Sequence, residues 1–185
     1  KKFKTENNIS QKVSFAGRLD PMAHGEMVLL VGDECKKQDT YCGRDKIYEF
    51  DILYGFTTDT LDILGISCQN QKFENNNIEK LKGEYEQSYP LYSSKTIGNK
   101  KKEPLWKLAQ SGLGNDLIPK KTVNIMELEK LGENSYNNLE LLAMISDKLS
   151  MLSDDYKERF RYSIIKNKWE ENLKINKIFK IEKYR

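Results

Sequence analysis

Apolar and polar residues alternate at period two in three stretches, and each stretch predicts a half-buried strand. Over 46–54, Tyr48, Phe50, Ile52 and Tyr54 oppose Glu49, Asp51 and Leu53. Over 122–131 the apolar positions are Val123, Ile125, Met126 and Leu128, and 177–184 alternates again. Residues 26–31 contain a continuous apolar run, which predicts a short strand buried on both faces. Helical periodicity covers 139–153 and 156–173. In the second of these, Tyr156, Phe160, Ile164 and Trp169 share one face and form a packing stripe. Shorter helices are expected at 33–41, capped by Asp33, at 78–82, stopped by Gly83, and from Pro104 to Gly112. Residues 1–12 read as a polar lead-in, 55–65 as a polar loop, 72–77 as too polar for a core, 89–95 as extended and 98–103 as a basic turn. Strands and helices follow one another without a regular βαβ repeat. The expected class is therefore α+β, a mixed, mainly antiparallel sheet flanked by helices.

Composition narrows the function. The chain has 185 residues, enough for one domain with a real core. Its aromatic content of 10% argues against general disorder. The longest apolar run, 27–31, falls far short of the roughly 18 residues that span a bilayer, so no membrane partner is expected. Cys35, Cys42 and Cys68 are odd in number and lack CxxC spacing, and His24 is the only histidine. Neither a disulfide framework nor a zinc or multi-histidine metal site follows, and the expectation is a reducing, cytoplasmic compartment. The net charge of +3 is too small to identify a nucleic-acid partner. Lys100–Lys102 and Lys120 with Lys121 are compatible with phosphate contacts, although solvated loop charge is the commoner meaning of such clusters. The first residue is Lys1, and 178–185 reads as a strand cut in the middle. Those ends suggest a piece of a longer protein.

Four segments carry possible chemistry. In Gly17-Arg18-Leu19-Asp20-Pro21-Met22-Ala23-His24-Gly25, the proline stiffens the turn after Asp20. A carboxylate on such a loop can act as nucleophile or base, although Asp-Pro is often only a turn. Lys46-Ile47-Tyr48 puts an aromatic on a strand, where it can stack on a base or simply join a core. Thr57-Thr58-Asp59-Thr60-Leu61-Asp62 is a polar loop with two acids. Tyr89-Pro90-Leu91-Tyr92-Ser93-Ser94-Lys95 precedes the basic turn. In order and content together, these segments resemble the TruB/dyskerin family of pseudouridine synthases. Gly17–Gly25 resembles the Gly-x-Leu-Asp-Pro-x-Ala-x-Gly signature, and Lys46-x-Tyr48 the Lys-x-Tyr strand. Thr58-Asp59-Thr60-x-Asp62 followed by Gly65 resembles the Thr-Asp-Thr-x-Asp-x-x-Gly loop. Gly83-x-x-x-Gln87-x-x-Pro90-x-Tyr92-Ser93 and Leu105-Trp106 to Gly112 resemble the segments that follow. The match covers about 13–130 and is closest to the bacterial, tRNA-modifying branch.

The resemblance implies an isomerase that breaks the N-glycosidic bond of a uridine, rotates the base and rejoins it through carbon, with no cofactor. Its substrate would be the T-loop of tRNA, whose uridine is flipped out of the loop, and the enzyme a monomer. Asp20 matches the catalytic aspartate, acting as nucleophile or as the base that forms a glycal. Tyr48 matches the tyrosine that stacks on the flipped base and handles its proton. Gly17 and Arg18 fall in the signature on the RNA side. Phe15 stands where many relatives carry a histidine that wedges into the RNA loop. Asp59 and Asp62 match the loop that organises the site, and Tyr92, Ser93 and Lys95 line the cleft. Two departures stand out. The Gly-Thr-Tyr-Ile-Arg-like segment, whose arginine pairs with the catalytic aspartate, is not found, and neither Arg161 nor Arg185 lies in a matching context. The helices over about 139–173 are atypical of simple bacterial relatives. They read as an insertion, a peripheral hairpin whose solvated side carries Lys157, Arg159, Arg161, Lys166 and Lys168. Residues 1–185 are thus expected to be a partial catalytic domain. The alternatives are a non-catalytic RNA-binding module and a guide-RNA-dependent, dyskerin-like synthase.

Overall fold

A computed structural model describes residues 2–70, 78–93, 95–98, 102–112, 118–159 and 161–185. The expected polar stretch 72–77, Lys100, Lys101 and Phe160 lie outside the described residues. The chain divides into two units, Lys1–Ile47 and Tyr48–Arg185.

The first unit opens with a short helix α1 (Lys2–Glu6), inside the stretch expected to be a lead-in. Strands β1 (Val13–Ala16) and β2 (Val28–Val31) then pair antiparallel, with Val13 opposite Val31 and Ala16 opposite Val28. A 3₁₀ turn, Gly32–Lys37, leads into α2 (Gln38–Cys42). Burial of β2 on both faces is not observed. Within this two-stranded ribbon only Leu30 of β2 is buried, and Val28 is exposed. Asp33 does not cap the helical segment either. Val31 holds the cap position without a side-chain bond, and Asp33 instead pairs with Lys36 at 2.6 Å.

The second unit is built on a three-stranded antiparallel sheet in the order β10–β11–β3, formed by β3 (Phe50–Leu53), β10 (Lys130–Asn137) and β11 (Ile178–Tyr184). Three antiparallel pairs accompany it. They are β4 (Phe56–Thr58) with β5 (Ser67–Gln69), β6 (Gly83–Ser88) with β9 (Lys120–Ile125), and β7 (Thr96–Ile97) with β8 (Glu103–Pro104). The helices are α3 (Leu105–Gln110), α4 (Asn138–Ser150), α5 (Asp154–Arg159) and α6 (Tyr162–Asn172). The α+β class with antiparallel pairing is as expected. Among the described residues, no helix is long and apolar enough to cross a membrane.

The helical region is not peripheral. Asn137 and Glu140 close a capping box on α4. The Asn137 side chain accepts from the amides of Leu139 and Glu140, and the Glu140 carboxylate accepts from the Asn137 amide, which satisfies the first orphan donors of the helix. Leu141, Ile145 and Leu149 then recur every four residues and are buried, as are Ile165, Trp169 and Leu173. Phe56 of β4 meets the Trp169 ring at 5.2 Å and the Phe179 ring at 5.3 Å. The expected helix over 156–173 is two helices, interrupted where Arg161 adopts a left-handed backbone (φ 43°). The interruption shifts the buried stripe by one position. Ile164 is 56% exposed, whereas Ile165 is buried. The expected strand over 122–131 is likewise divided between β9 and β10, and the one over 46–54 contracts to β3.

One buried charge sits in the sheet. Glu182 of β11 is 5% exposed and collects four donors. Lys130 and Lys180 each approach Oε1 at 2.6 Å, and the hydroxyls of Tyr54 and Tyr184 donate to Oε2 at 2.5 and 2.7 Å. Burial alone would raise the carboxyl, but the hydrogen bonds from the two lysines and two tyrosines outweigh it and hold it well below the usual carboxylate range. Lys130 is raised by its bonds to Glu133 and Glu182. Tyr54 is pushed up by burial and by its bond to Glu182.

Two outcomes follow. Trp169→Ala lowers the unfolding free energy by about 3–5 kcal/mol, the range for removing a large buried aromatic. Ile164→Ala changes it by no more than about 0.5 kcal/mol. Denaturant unfolding compares the two, and equal losses would place the packing face wrongly. For Glu182, a depressed carboxyl contributes stability that is present above its unfolded pKa of about 4.3 and lost as pH falls toward the native value. Thermal unfolding of the native sequence should therefore decline more steeply below about pH 4 than that of Glu182→Gln. Parallel curves would exclude the linkage.

Candidate functional site

In the first unit, the signature segment is the connection between β1 and β2. Gly17 leaves β1 with φ 89°, a conformation that side chains rarely adopt. The Ala23 amide donates to the Asp20 carbonyl at 2.9 Å and closes a turn around Pro21 and Met22. This backbone bond and the fixed φ of Pro21 give Asp20 an ordered base, and the residue is exposed. The Arg18 guanidinium lies 5.3 Å over the ring of Phe15, so a cation and an aromatic face are presented together. The Phe15 carbonyl accepts from the Gln38 side chain at 2.7 Å, which ties this end of β1 to α2. An exposed carboxylate on an ordered loop has the access that a nucleophile or base requires.

In the second unit, the Thr-Asp-Thr loop is the turn between β4 and β5. Its two acids do different work. Asp62 Oδ1 accepts from the Thr60 hydroxyl at 2.6 Å and from the Leu64 amide at 2.9 Å, while its carbonyl accepts from the Thr58 hydroxyl at 2.7 Å. Asp62 therefore holds the loop together. Asp59 uses Oδ1 to accept from the Ile66 amide at 2.8 Å, and Oδ2 to pair with Arg161 Nη1 at 2.8 Å. Gly65 is required by space. A Cβ there would collide with the Thr60 hydroxyl and stand 2.7 Å from Asp59 Oδ1, so any other residue would displace the atoms that shape the turn. The loop rests on α6. Trp169 Nε1 donates to the Ile63 carbonyl at 3.0 Å, Asn172 Nδ2 donates to the Ser67 carbonyl and hydroxyl at 2.9 Å each, and Gln69 returns a bond to the Asn172 carbonyl at 2.7 Å.

The segment after Pro90 is a turn and not the expected extended stretch. The Ser93 amide donates to the Pro90 carbonyl at 3.1 Å. The Ser93 carbonyl then accepts from the Trp106 amide, and the Lys95 carbonyl from the Leu105 amide, so this turn seats the start of α3. The Ser93 hydroxyl is buried, with no hydrogen-bond partner among the described residues. The Lys95 ammonium lies 4.9 Å over the ring of Tyr89. The ring of Tyr92 is covered by the Arg161 guanidinium at 4.7 Å. Tyr48 lies just before β3 and is 66% exposed, which leaves an aromatic face open to stacking.

Within the second unit, therefore, Asp59 and Tyr92 converge on one cation, Asp62 braces the same loop, and Ser93 and Lys95 flank Tyr92. Tyr48 stands apart on the approach to β3. Arg161, expected on the solvated side of a peripheral hairpin, is instead half-buried and paired with Asp59. No local signal marks it, because its partner Asp59 is 102 residues away and no motif surrounds it. Among the described residues, no group of three or more His, Cys, Asp or Glu side chains is placed to hold a metal ion.

Comparison with known sequences meets this geometry. A profile described as TruB family pseudouridylate synthase (N terminal domain) matches residues 2–147. Similar curated proteins include the tRNA pseudouridine synthase B of Caldicellulosiruptor saccharolyticus, 38% identical over 126 residues, 65% of this chain and 42% of that protein. The tRNA pseudouridine synthase B of Caldanaerobacter subterraneus subsp. tengcongensis is 34% identical over 138 residues, 71% of this chain and 47% of that protein. That of Mesoplasma florum is 29% identical over 148 residues, 76% of this chain and 49% of that protein. The chain thus spans about half the length of the curated relatives it matches. With the profile running through the Asp20 turn, Tyr48, the Asp59 loop and the Tyr92 turn, the chain belongs to the TruB family of pseudouridylate synthases.

Proposed function

We propose that this chain carries the catalytic aspartate and the base-stacking tyrosine of a tRNA pseudouridine synthase, and that its target is the uridine of the T-loop. The observation that supports this best is the family match over residues 2–147, which contains the Asp20 turn, Tyr48, the Asp59 loop and the Tyr92 turn but not α6 with its Arg161. In the proposed reaction the N1–C1′ bond of uridine breaks, the base turns, and a C5–C1′ bond forms. The proton of C5 is lost and N1 gains one, so atoms balance without a cofactor. Asp20, exposed on its closed turn, is the carboxylate that either attacks or removes a sugar proton. Tyr48 supplies the face on which the flipped base stacks. Phe15 with Arg18, next to Asp20 in sequence, offers an aromatic and a cation to the unpaired loop of the RNA. Lys95, exposed in the second unit, offers a further cation to the RNA.

Tritium release from tRNA labelled at C5 of uracil follows the loss of the C5 proton directly. The full-length protein should release tritium, and Asp20→Asn should reduce release by about 10²–10⁴-fold, as for loss of a proton-transferring or attacking group. Tyr48→Ala should weaken tRNA binding by about 1–3 kcal/mol, the value of one stacked base. Binding of tRNA without any tritium release by the native protein would leave a non-catalytic RNA-binding module. Release only in the presence of an added guide RNA would point to the dyskerin-like mode.

A further inference from the structure

The break between α5 and α6 places one side chain at the meeting point of three parts of the second unit. Arg161 occupies the N-cap of α6 with φ 43° and ψ 26°. A left-handed conformation is unfavourable for a non-glycine residue, so the surroundings must hold it there. Its guanidinium makes two long-range contacts, the 2.8 Å ion pair to Asp59 Oδ2 and the 4.7 Å approach to the Tyr92 ring. The Arg161 and Asp59 side chains are 27% and 30% exposed. The other ion pairs of α6, Lys166 with Glu170 and Lys168 with Glu171, are more open and join residues within one helix; such surface pairs contribute little. Asp59 completes its coordination with the Ile66 amide. Two turns along the same helix, Trp169 grips the Ile63 carbonyl. The hairpin is therefore held on α6 by neutral hydrogen bonds from Trp169 and Asn172 and by one charge, that of Arg161.

The geometry assigns Arg161 as a positioning residue: it sets the Asp59 loop and the face of Tyr92 for the isomerisation, so that the helical segment acts on the site through one cation. This rests on the reading of the chain as a tRNA pseudouridine synthase. Arginine suits the position because a planar guanidinium can bond a carboxylate at its edge while its face covers a ring, which an ammonium cannot do. Arg161 does not touch the reacting atoms in this assignment. Its effect falls on the rate of the bound complex more than on tRNA affinity.

The test uses the full-length protein. Arg161→Lys keeps the charge without the planar fork. Arg161→Gly removes the side chain and at the same time relieves the left-handed backbone. Arg161→Gly should lower the single-turnover rate of tritium release by about 10²-fold, the scale of a misplaced reacting geometry, with tRNA affinity in a filter-binding assay nearly unchanged. Arg161→Lys should fall between. Asp59→Asn combined with Arg161→Gly should lose no more than the worse single variant, since both remove one contact. Hydrogen exchange of the Ile66 amide should accelerate in Arg161→Gly. A native rate in Arg161→Gly, a multiplicative double variant, or a loss confined to tRNA affinity would overturn the assignment. If the native protein releases no tritium, the enzymatic reading fails on its own. Unchanged Ile66 exchange in Arg161→Gly would then separately show that Arg161 does not hold the loop.

Discussion

The second unit depends on the burial of one indole. Trp169 is 1% exposed, and its ring packs against Phe56, which in turn meets Phe179 of the central strand. Its N–H would be costly to bury unpaired, and it finds the carbonyl of Ile63 in the Thr-Asp-Thr loop. One side chain thus joins helix, hairpin and sheet through its apolar body and orients the loop through its polar edge. The aspartates of that loop are exact in position because what lies beneath them is packed.

Charge is handled by the same logic in two places with different results. Glu182 is surrounded by donors on its own sheet, two from lysines and two from tyrosine hydroxyls, and is satisfied entirely within the framework. Asp59 is satisfied by one backbone amide and one arginine brought from another part of the chain. The first arrangement is self-contained. The second makes the shape of a loop conditional on a helix boundary.

What was legible in the sequence follows from where each signal originates. β11 was readable because it is the central strand, with Phe179 and Ile181 facing one side and Tyr184 the other. β10 was not, because its eight residues, Lys130–Asn137, are mostly polar and lie largely exposed on an edge, where no face demands alternation. The break at Arg161 carries neither glycine nor proline, so local rules saw one helix and put Ile164 on the inner face instead of Ile165. The loop was partly legible. Gly65 and the threonines are demanded by contacts within ten residues, whereas the role of Asp59 depends on a partner that no local pattern reveals. The helical segment reads as peripheral for a related reason: its surface lysines are conspicuous in the sequence, while its four-residue repeat of Leu141, Ile145 and Leu149 becomes decisive only when α6 and the sheet are brought against it.

The sequence distance between the loop and its supports has a consequence for synthesis. Asp59 and Arg161 are 102 residues apart, and Ile63 and Trp169 are 106 apart. A ribosome adding about 5–20 residues per second needs roughly 5–20 s after making the loop before its anchors exist, and longer before they clear the exit tunnel. During that interval the β4–β5 hairpin has neither its ion pair nor its indole. The β1–β2 pairing, which joins residues 13–16 to 28–31, faces no such delay. The Thr-Asp-Thr loop therefore gains its ion pair and its indole contact only late in synthesis.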